Sequence, residues 1–278
     1  MNNEISVIPL GTVSTYCNED KCCPGFLIKC GKRNIMLDCG NGISKYLNLP
    51  NDFNDLTIII THLHSDHYGE LLSLAQTSLV FKRLGYITDK IKVYIPEGDK
   101  VEGYEYYKDD DGWSRSIKVD KNLIDFDFLM SLEKNSHLEF IPYKSDKKII
   151  YDELEISFSR NPHQLITHSI KLENEDLKIV YSSDTGYKGN CLETFAKNVN
   201  LLICESTFLK GQLKLEDYHL YAYEAGMIAR NANVEKLLLT HFWPTIDKKL
   251  YVNEAKKYFN NTEAAIEGKK LILRRKDI

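Results

Sequence analysis

Residues 58–70, "IIITHLHSDHYGE", place three histidines and an aspartate within six positions, directly after a run of isoleucine. Imidazole and carboxylate are ligands for zinc, iron and manganese. In an extended segment alternate side chains share a side, so His62 and His64 can point together. A turn after them can aim Asp66 and His67 at an adjacent position, so one loop can serve two metal ions. Four groups do not close two sites, and further ligands must come from elsewhere. Candidates stand in "RNPHQLITHS" (His163), in "VYSSDTGY" (Asp184) and in "LLLTHF" (His241). Asp184 and His241 each follow an apolar run that reads as a strand. Two further histidines, His137 and His168, read as structural, with a supporting place beside the ligands as the alternative for His168.

The elements that must position these groups are legible around them. "LTIII" is a continuous apolar run, as in a strand buried on both faces, and it delivers "THLHSDH" at its C-terminal end. "GELLSLAQTSLVFKRL" follows with helical periodicity, so the cluster sits in a strand-to-helix loop. Upstream, "EISVIPLG", "GFLIKC" and "RNIMLDCG" read as strands and "NGISKYL" as a short helix. Downstream, strands are expected at "KVYIPEGD", near 137–143, 154–160, 168–174 and 177–182, and at "NLLICEST" and "EKLLLTHF". Helices are expected at 122–134, in "EDYHLYAYEAGMIARNA" and in "KKLYVNEAKKYFNN". Residues 100–121 are acidic and aromatic and read as irregular, either a surface loop or a lid. Neither repeats nor a linker interrupt the chain, so 1–278 reads as a single α/β domain of layered sheets and helices.

Composition narrows the function. The chain has 278 residues, 43% hydrophobic and 27% charged, as in ordinary soluble proteins. A net charge of −4 disfavours a broad nucleic-acid surface; the one basic cluster is terminal, "GKKLILRRKDI". With no apolar run of membrane-spanning length and no leader-like N-terminus, no membrane partner and a cytoplasmic location are expected. Seven cysteines in such a setting argue for free thiols. Cys17, Cys22 and Cys23 lie close together and raise a small zinc site as one reading, free loop thiols as the other.

Taken together, "THLHSDH", "LDCGNG", "NPH", "SSDTG" and "LTHF" run in order along nearly the whole chain and strongly resemble the metallo-β-lactamase-fold hydrolase superfamily. The resemblance implies a four-layer αββα sandwich with two divalent ions at one edge of the sheets. Zinc is favoured, with manganese or iron as alternatives. It implies that His62, His64 and His163 bind one ion, that Asp66, His67 and His241 bind the other, and that Asp184 bridges them. Two such ions would lower the pKa of a bridging water and so make hydroxide available near neutral pH, with Asp66 helping to orient it. "CEST" and "YHLYAYEAG" further resemble the phosphodiesterase branch that includes ribonuclease Z. There Glu205 would orient His219, and His219 would protonate the leaving oxygen.

One departure from that branch matters. Many ribonuclease Z members carry a long Gly/Pro-rich arm that grips transfer RNA between the positions of His163 and Asp184. Here roughly twenty residues intervene, enough for a hairpin. The expected activity is therefore hydrolysis of a small anionic phosphodiester such as a short or cyclic nucleotide. The alternatives are an RNA endonuclease, hydrolysis of another bond such as a thioester or lactone, and a non-catalytic binding protein on an inherited scaffold. β-Lactam hydrolysis is disfavoured, because the zinc β-lactamases with two different metal sites carry Cys where Asp184 stands. Relatives of this type also allow a homodimer.

Overall fold

Alternating side chains along the strands send one set of apolar groups inward and the other outward, and this builds two sheets face to face. The computed structural model describes residues 4–97, 131–188, 190–213 and 217–274, and the backbone of 100–108 and 114–122. In chain order the strands are β1 (Glu4–Gly11), β2 (Gly25–Cys30), β3 (Arg33–Leu37), β4 (Leu56–Ile59), β5 (Ile91–Pro96), the pair β6 (Lys100–Lys108) and β7 (Ser114–Asn122), and β8 (Leu138–Tyr143). Then come β9 (Lys148–Tyr151), β10 (Leu154–Arg160), β11 (His168–Glu173), β12 (Lys178–Tyr181), β13 (Leu201–Glu205), β14 (Lys236–Thr240), β15 (Thr262–Ala264) and β16 (Leu271–Arg274). The helices are α1 (Ser65–Tyr68), α2 (Leu71–Arg83), α3 (Cys191–Phe195), α4 (Ala222–Asn231) and α5 (Lys248–Ala255).

One sheet has the order β16-β1-β2-β3-β4-β5-β8 and the other β15-β14-β13-β12-β11-β10-β9. Each is mixed: β3, β4, β5 and β8 run parallel in the first, and β12 to β15 in the second. Three apolar cores separate four layers. Ile5, Phe26, Ile28 and Ile59 of the first sheet pack against Ile156, Ile170, Tyr181 and Ile203 of the second. On the outer face of the first sheet, Leu27, Met36 and Ile58 pack on Leu71, Leu74 and Ala75 of α2. On the outer face of the second, Val180, Leu202 and Leu239 pack on Ala225 and Ile228 of α4 and on Tyr251 and Ala255 of α5. Each such side chain contributes about 1.5–3 kcal/mol when fully buried. The αββα sandwich follows from this two-sided alternation.

Several boundaries differ from the sequence reading. Residues 100–108 and 114–121 are not irregular: they form most of the antiparallel pair β6–β7, with Lys100 opposite Asn122 and Lys108 opposite Ser114. β6 mixes charged residues with tyrosines, and β7 has only Ile117 and Val119 as apolar residues, so the pair has only a weak apolar period. Its side chains, and hence the lid reading, lie outside the described residues. The helix expected over 122–134 falls mostly there too; Asn122 belongs to β7 and 131–134 are helical. β9, β15 and β16 carry no strong signal because they are short strands at or next to a sheet edge, where a polar face meets water. Helix α4 begins only at Ala222. The residues before it turn back instead: Phe208 N–H donates to Leu220 O at 3.1 Å and Ala222 N–H to Phe208 O at 2.8 Å. This return places His219 in a loop over the sheet ends.

Candidate metal centre

The parallel strands β4, β12, β13 and β14 deliver chemistry-bearing residues just past or at their C-terminal ends. All four residues of β4 are buried, and the chain then runs through Thr61 and His62 into α1, which starts at Ser65. The adjacent β12, β13 and β14 are followed by Asp184, ended by Glu205 and followed by His241. The loops are tied to one another: Gly186 N–H donates to Pro162 O at 2.8 Å, fixing the His163 loop to the Asp184 loop. Asn161 Nδ2 donates to Asp184 O at 2.9 Å. Asp38, Ser183 and His241 have φ of 59°, 52° and 59°. Left-handed backbone at non-glycine residues is costly and collects where surrounding structure holds a functional geometry.

The seven residues singled out as ligands converge. His62, His64, His163 and Asp184 form one group whose donor atoms lie within 4.8 Å of one another; Asp66, His67 and His241 form a second, and Asp184, His219 and His241 a third. Asp184 belongs to both sides. Its Oδ2 is 3.6 Å from His62 Nε2, while its Oδ1 is 3.3 Å from both His67 Nε2 and His241 Nε2. Asp66 Oδ2 stands 3.6 Å from His241 Nε2 and 3.8 Å from His67 Nε2.

Three of the rings are aimed by a bond at their other nitrogen, the usual support for a ligating histidine. His67 Nδ1 meets Asp38 Oδ2 at 2.7 Å, His163 Nδ1 meets Tyr218 O at 3.1 Å, and His241 Nδ1 meets Thr207 Oγ1 at 2.8 Å. Thr207 Oγ1 itself donates to Glu205 Oε2 at 2.7 Å, so it accepts from His241. The Nε2 lone pairs are thereby turned to the cluster. Asp38 is the residue whose role sequence reasoning missed, although it stands in "LDCGNG". It also accepts from Thr61 N–H at 2.8 Å and Tyr181 OH at 2.8 Å. The signal was present: an aspartate directly after an apolar strand, as at Asp184. Asp38→Asn is expected to weaken metal binding about 10- to 100-fold, as loss of such a support typically does. Competition against a chromophoric chelator measures this, with circular dichroism checking the fold.

The arrangement fits metal ions. His67 Nε2 and His241 Nε2 face each other at 3.4 Å, and His62 Nε2 faces His64 Nδ1 at 3.0 Å. Lone pairs so close repel unless a proton or cation sits between them. Asp184 Oδ1 is buried with no hydrogen-bond partner, which is costly for a carboxylate unless a cation takes it. Burial pulls His62 well below the ordinary histidine value, with His67 adding to it, and burial takes His64 down to about 4. Both are thus neutral, the form in which an imidazole can take a metal ion. Burial also opposes charge on His67, yet Asp184, Asp38 and Asp66 outweigh it and hold its pKa well above the ordinary value. Three carboxylates around one ring demand positive charge, which a divalent ion would supply.

Glu205 and His219 sit beside this cluster. Glu205 is fully buried and accepts from Thr185 N–H at 2.8 Å, Thr207 Oγ1 at 2.7 Å and Leu220 N–H at 3.2 Å. Its Oε1 is 3.0 Å from His219 Nδ1. Burial opposes a charged His219, but Glu205 and then Asp184 outweigh it and push the imidazole up to about 9. His219 Nδ1 lies 3.9 Å from Asp184 Oδ2. The two remaining histidines are structural: His137 Nε2 meets Thr88 O at 3.1 Å, and His168 packs on Tyr143 with Nε2 3.0 Å from Ser145 Oγ.

The three thiols do not gather into a comparable site. Cys17 Sγ donates to Asn41 O at 2.9 Å and Cys22 Sγ to Gly42 O at 3.2 Å, with Cys17 Sγ 3.7 Å from Cys23 Sγ. Among the described residues, no metal-capable group includes a cysteine. A separate cavity of about 300 Å³ lies near the N-terminal ends of β4 and β5, lined in part by Phe53, Tyr86 and Lys90, and shares no residue with the cluster. No helix among the described residues is long and apolar enough to cross a membrane.

Residues 5–250 match the sequence profile of the family described as Anti-Pycsar protein Apyc1. The chain belongs to this family. The Apyc1-family chain is also 29% identical to ribonuclease Z of Thermococcus sibiricus over 284 aligned positions, 91% of each protein. The crystal structure of the metallo-β-lactamase-fold protein YhfI from Bacillus subtilis superposes with a TM-score of 0.81 at 21% identity, covering 97% of this chain and 99% of that one. The short form of human tRNase Z superposes at 0.69 with 19% identity, over 96% and 98%. The fold of the Apyc1-family chain is thus the metallo-β-lactamase sandwich. Its family, its relatives and its His/Asp cluster support a metal-dependent hydrolase.

Proposed function

We propose that the chain is a dinuclear metal-dependent phosphodiesterase acting on a small nucleotide or cyclic nucleotide. The observation that carries this is Asp184, whose two oxygens face different sets of histidines, with the Glu205–His219 pair beside it. His62, His64, His163 and Asp184 would hold one ion, and Asp66, His67, His241 and Asp184 the other, with zinc, manganese or iron suited to these donors. When bound, the ions would acidify the attacking water and neutralise charge developing on the phosphoryl oxygens.

The chain's own residues do the rest. Asp66, held by the Thr15 N–H at 2.9 Å, would orient the attacking water. His219 would donate an Nδ1–H hydrogen bond to Glu205, which accepts it, leaving Nε2–H as the donor to the departing oxygen. A hydroxyl leaving group needs that proton, whereas the thiolate released from a thioester does not. Between His163 and Asp184 the chain forms a loop and the hairpin β11–β12, which favours small substrates over an RNA held by a long arm. The test is metal analysis together with turnover on bis-p-nitrophenyl phosphate, cyclic nucleotides and precursor transfer RNA. About two metal equivalents with cleavage of the small diesters are expected; metal-replete protein inert on every diester would end this reading.

Metal removal should also show in stability. A ligand at 100-fold over its Kd stabilises by about 2.7 kcal/mol. For a chain of this size that raises Tm by roughly 5–10 °C. Chelator-treated protein is expected to melt lower by this margin and to recover on adding zinc, followed by differential scanning fluorimetry.

A further inference from the structure

A second cavity, about 280 Å³ in volume, opens beside the cluster and has no part in holding metal. Phe208, Leu213, Trp243 and Ile246 give it apolar walls, and Thr207 and Gln212 add polar groups. Three connections fix it to the reacting centre. Thr207 bonds His241 at 2.8 Å. The Phe208 ring lies 6.2 Å from the His219 ring, centroid to centroid. Trp243 follows His241 by two residues and is met edge-on by Tyr16 at 6.3 Å, while Thr15 next to Tyr16 donates to Asp66. Trp243 N–H donates to Tyr251 OH at 3.3 Å, which anchors the backbone beneath the indole. Yet Trp243 is 38% and Leu213 79% exposed, an unusual presentation of large apolar groups next to a polar centre.

We infer that this cavity receives the nucleobase of the substrate, stacked against Trp243 and Phe208 while its phosphodiester lies at the metal cluster. The inference rests on the phosphodiesterase reading above and adds the part of the substrate that reading leaves open. Among the described residues no charged side chain lines the cavity, which suits the uncharged end of a nucleotide and not a second phosphate. Its volume lies just under the roughly 300–1,000 Å³ of small-ligand clefts, room for one heterocycle and not for an oligonucleotide. Aromatic walls take any base by its π-face. Gln212 offers a polar edge: its Oε1 is taken by Leu209 N–H at 2.6 Å, which leaves its amide hydrogens for the base. Phe208 beside His219 puts the base on the side where the leaving oxygen is protonated.

The test compares nucleoside 3′,5′-cyclic phosphates, one purine and one pyrimidine, with methyl riboside 3′,5′-cyclic phosphate, which lacks a base. Wild-type protein is expected to prefer the base-bearing substrates in kcat/KM. Trp243→Ala should shrink that preference by about 5- to 150-fold, the span of one base–aromatic stack, chiefly through KM. Trp243→Phe should restore much of it. A second readout needs no turnover. The chain has two tryptophans, Trp113 and Trp243, so in a Trp113→Phe background a nucleoside 5′-monophosphate should quench Trp243 fluorescence saturably. A wild type indifferent to the base, or a Trp243→Ala variant that slows all three substrates equally, overturns the base site and leaves the phosphodiesterase reading standing. If wild type cleaves none of them, that reading falls; the quenching titration then decides the cavity by itself, saturable quenching supporting it and its absence overturning it.

Discussion

Asp184→Ala is expected to reduce kcat on bis-p-nitrophenyl phosphate by about 10³-fold or more, and to lower metal content together with it. The reason is positional. Among the described residues, Asp184 is the one side chain whose two oxygens face both groups of histidines, at 3.6 Å on one side and 3.3 Å on the other. Burial would raise its pKa, but His241 and His67 hold it well below the ordinary carboxylate range, so it is charged under all working conditions. Its removal takes a metal-capable oxygen from each group and the charge that balances both. Metal-assisted stabilisation is worth several kcal/mol, and each 1.36 kcal/mol is tenfold in rate. His64→Ala removes a ligand from one group only and should spare metal in the other. Plasma emission analysis beside initial rates separates these cases. An Asp184→Ala protein with full metal and full rate would show that the cluster is not the reacting centre.

His219→Ala is expected to distinguish leaving groups. A general acid contributes typically 10²–10⁴-fold, and that contribution is made only where the departing oxygen needs its proton. Loss of the ring should therefore cost about 10²-fold or more on an alkyl or nucleoside diester. On p-nitrophenyl esters, whose phenolate leaves unaided, the loss should stay within roughly tenfold. Glu205→Gln should reproduce the pattern in weaker form, because it leaves the imidazole in place but removes the carboxylate 3.0 Å from Nδ1. Equal losses on both kinds of substrate would return His219 to a purely structural place.

The residues that converge on the candidate metal centre and the fold class were legible in the sequence for the same physical reason. A ligand at the C-terminal end of a buried parallel strand is written as an apolar run followed by a polar residue, and "IIITHLH", "IVYSSD" and "LLLTH" all have this form. The short link between His163 and Asp184 was likewise readable as a hairpin. What stayed hidden depends on contacts distant in sequence. Asp38 gathers Thr61, His67 and Tyr181, 23, 29 and 143 residues away, so its place after an apolar strand is legible but these partners are not. The start of α4 at Ala222 was obscured because acidic residues before it mimic a helix entry. In the structure, Leu220 N–H is held by Glu205 and the chain turns back to Phe208. The strands of the β6–β7 pair were missed because β6 mixes charged residues with tyrosines and β7 offers only Ile117 and Val119 as an apolar alternation.

The cluster draws His62, His64, Asp66 and His67 from the first sheet's connections and His163, Asp184 and His241 from the second's. Neither half of the sandwich owns a complete site. Bound metal would therefore act as a rivet between the halves, and its occupancy would report how well they are docked. A core substitution between the sheets, such as at Phe26 or Tyr181, whose rings pack 5.4 Å apart, would loosen the metal before any helix melts. In a cell short of metal, the population with aligned halves would shrink with supply, and abundance as well as activity would track the metal.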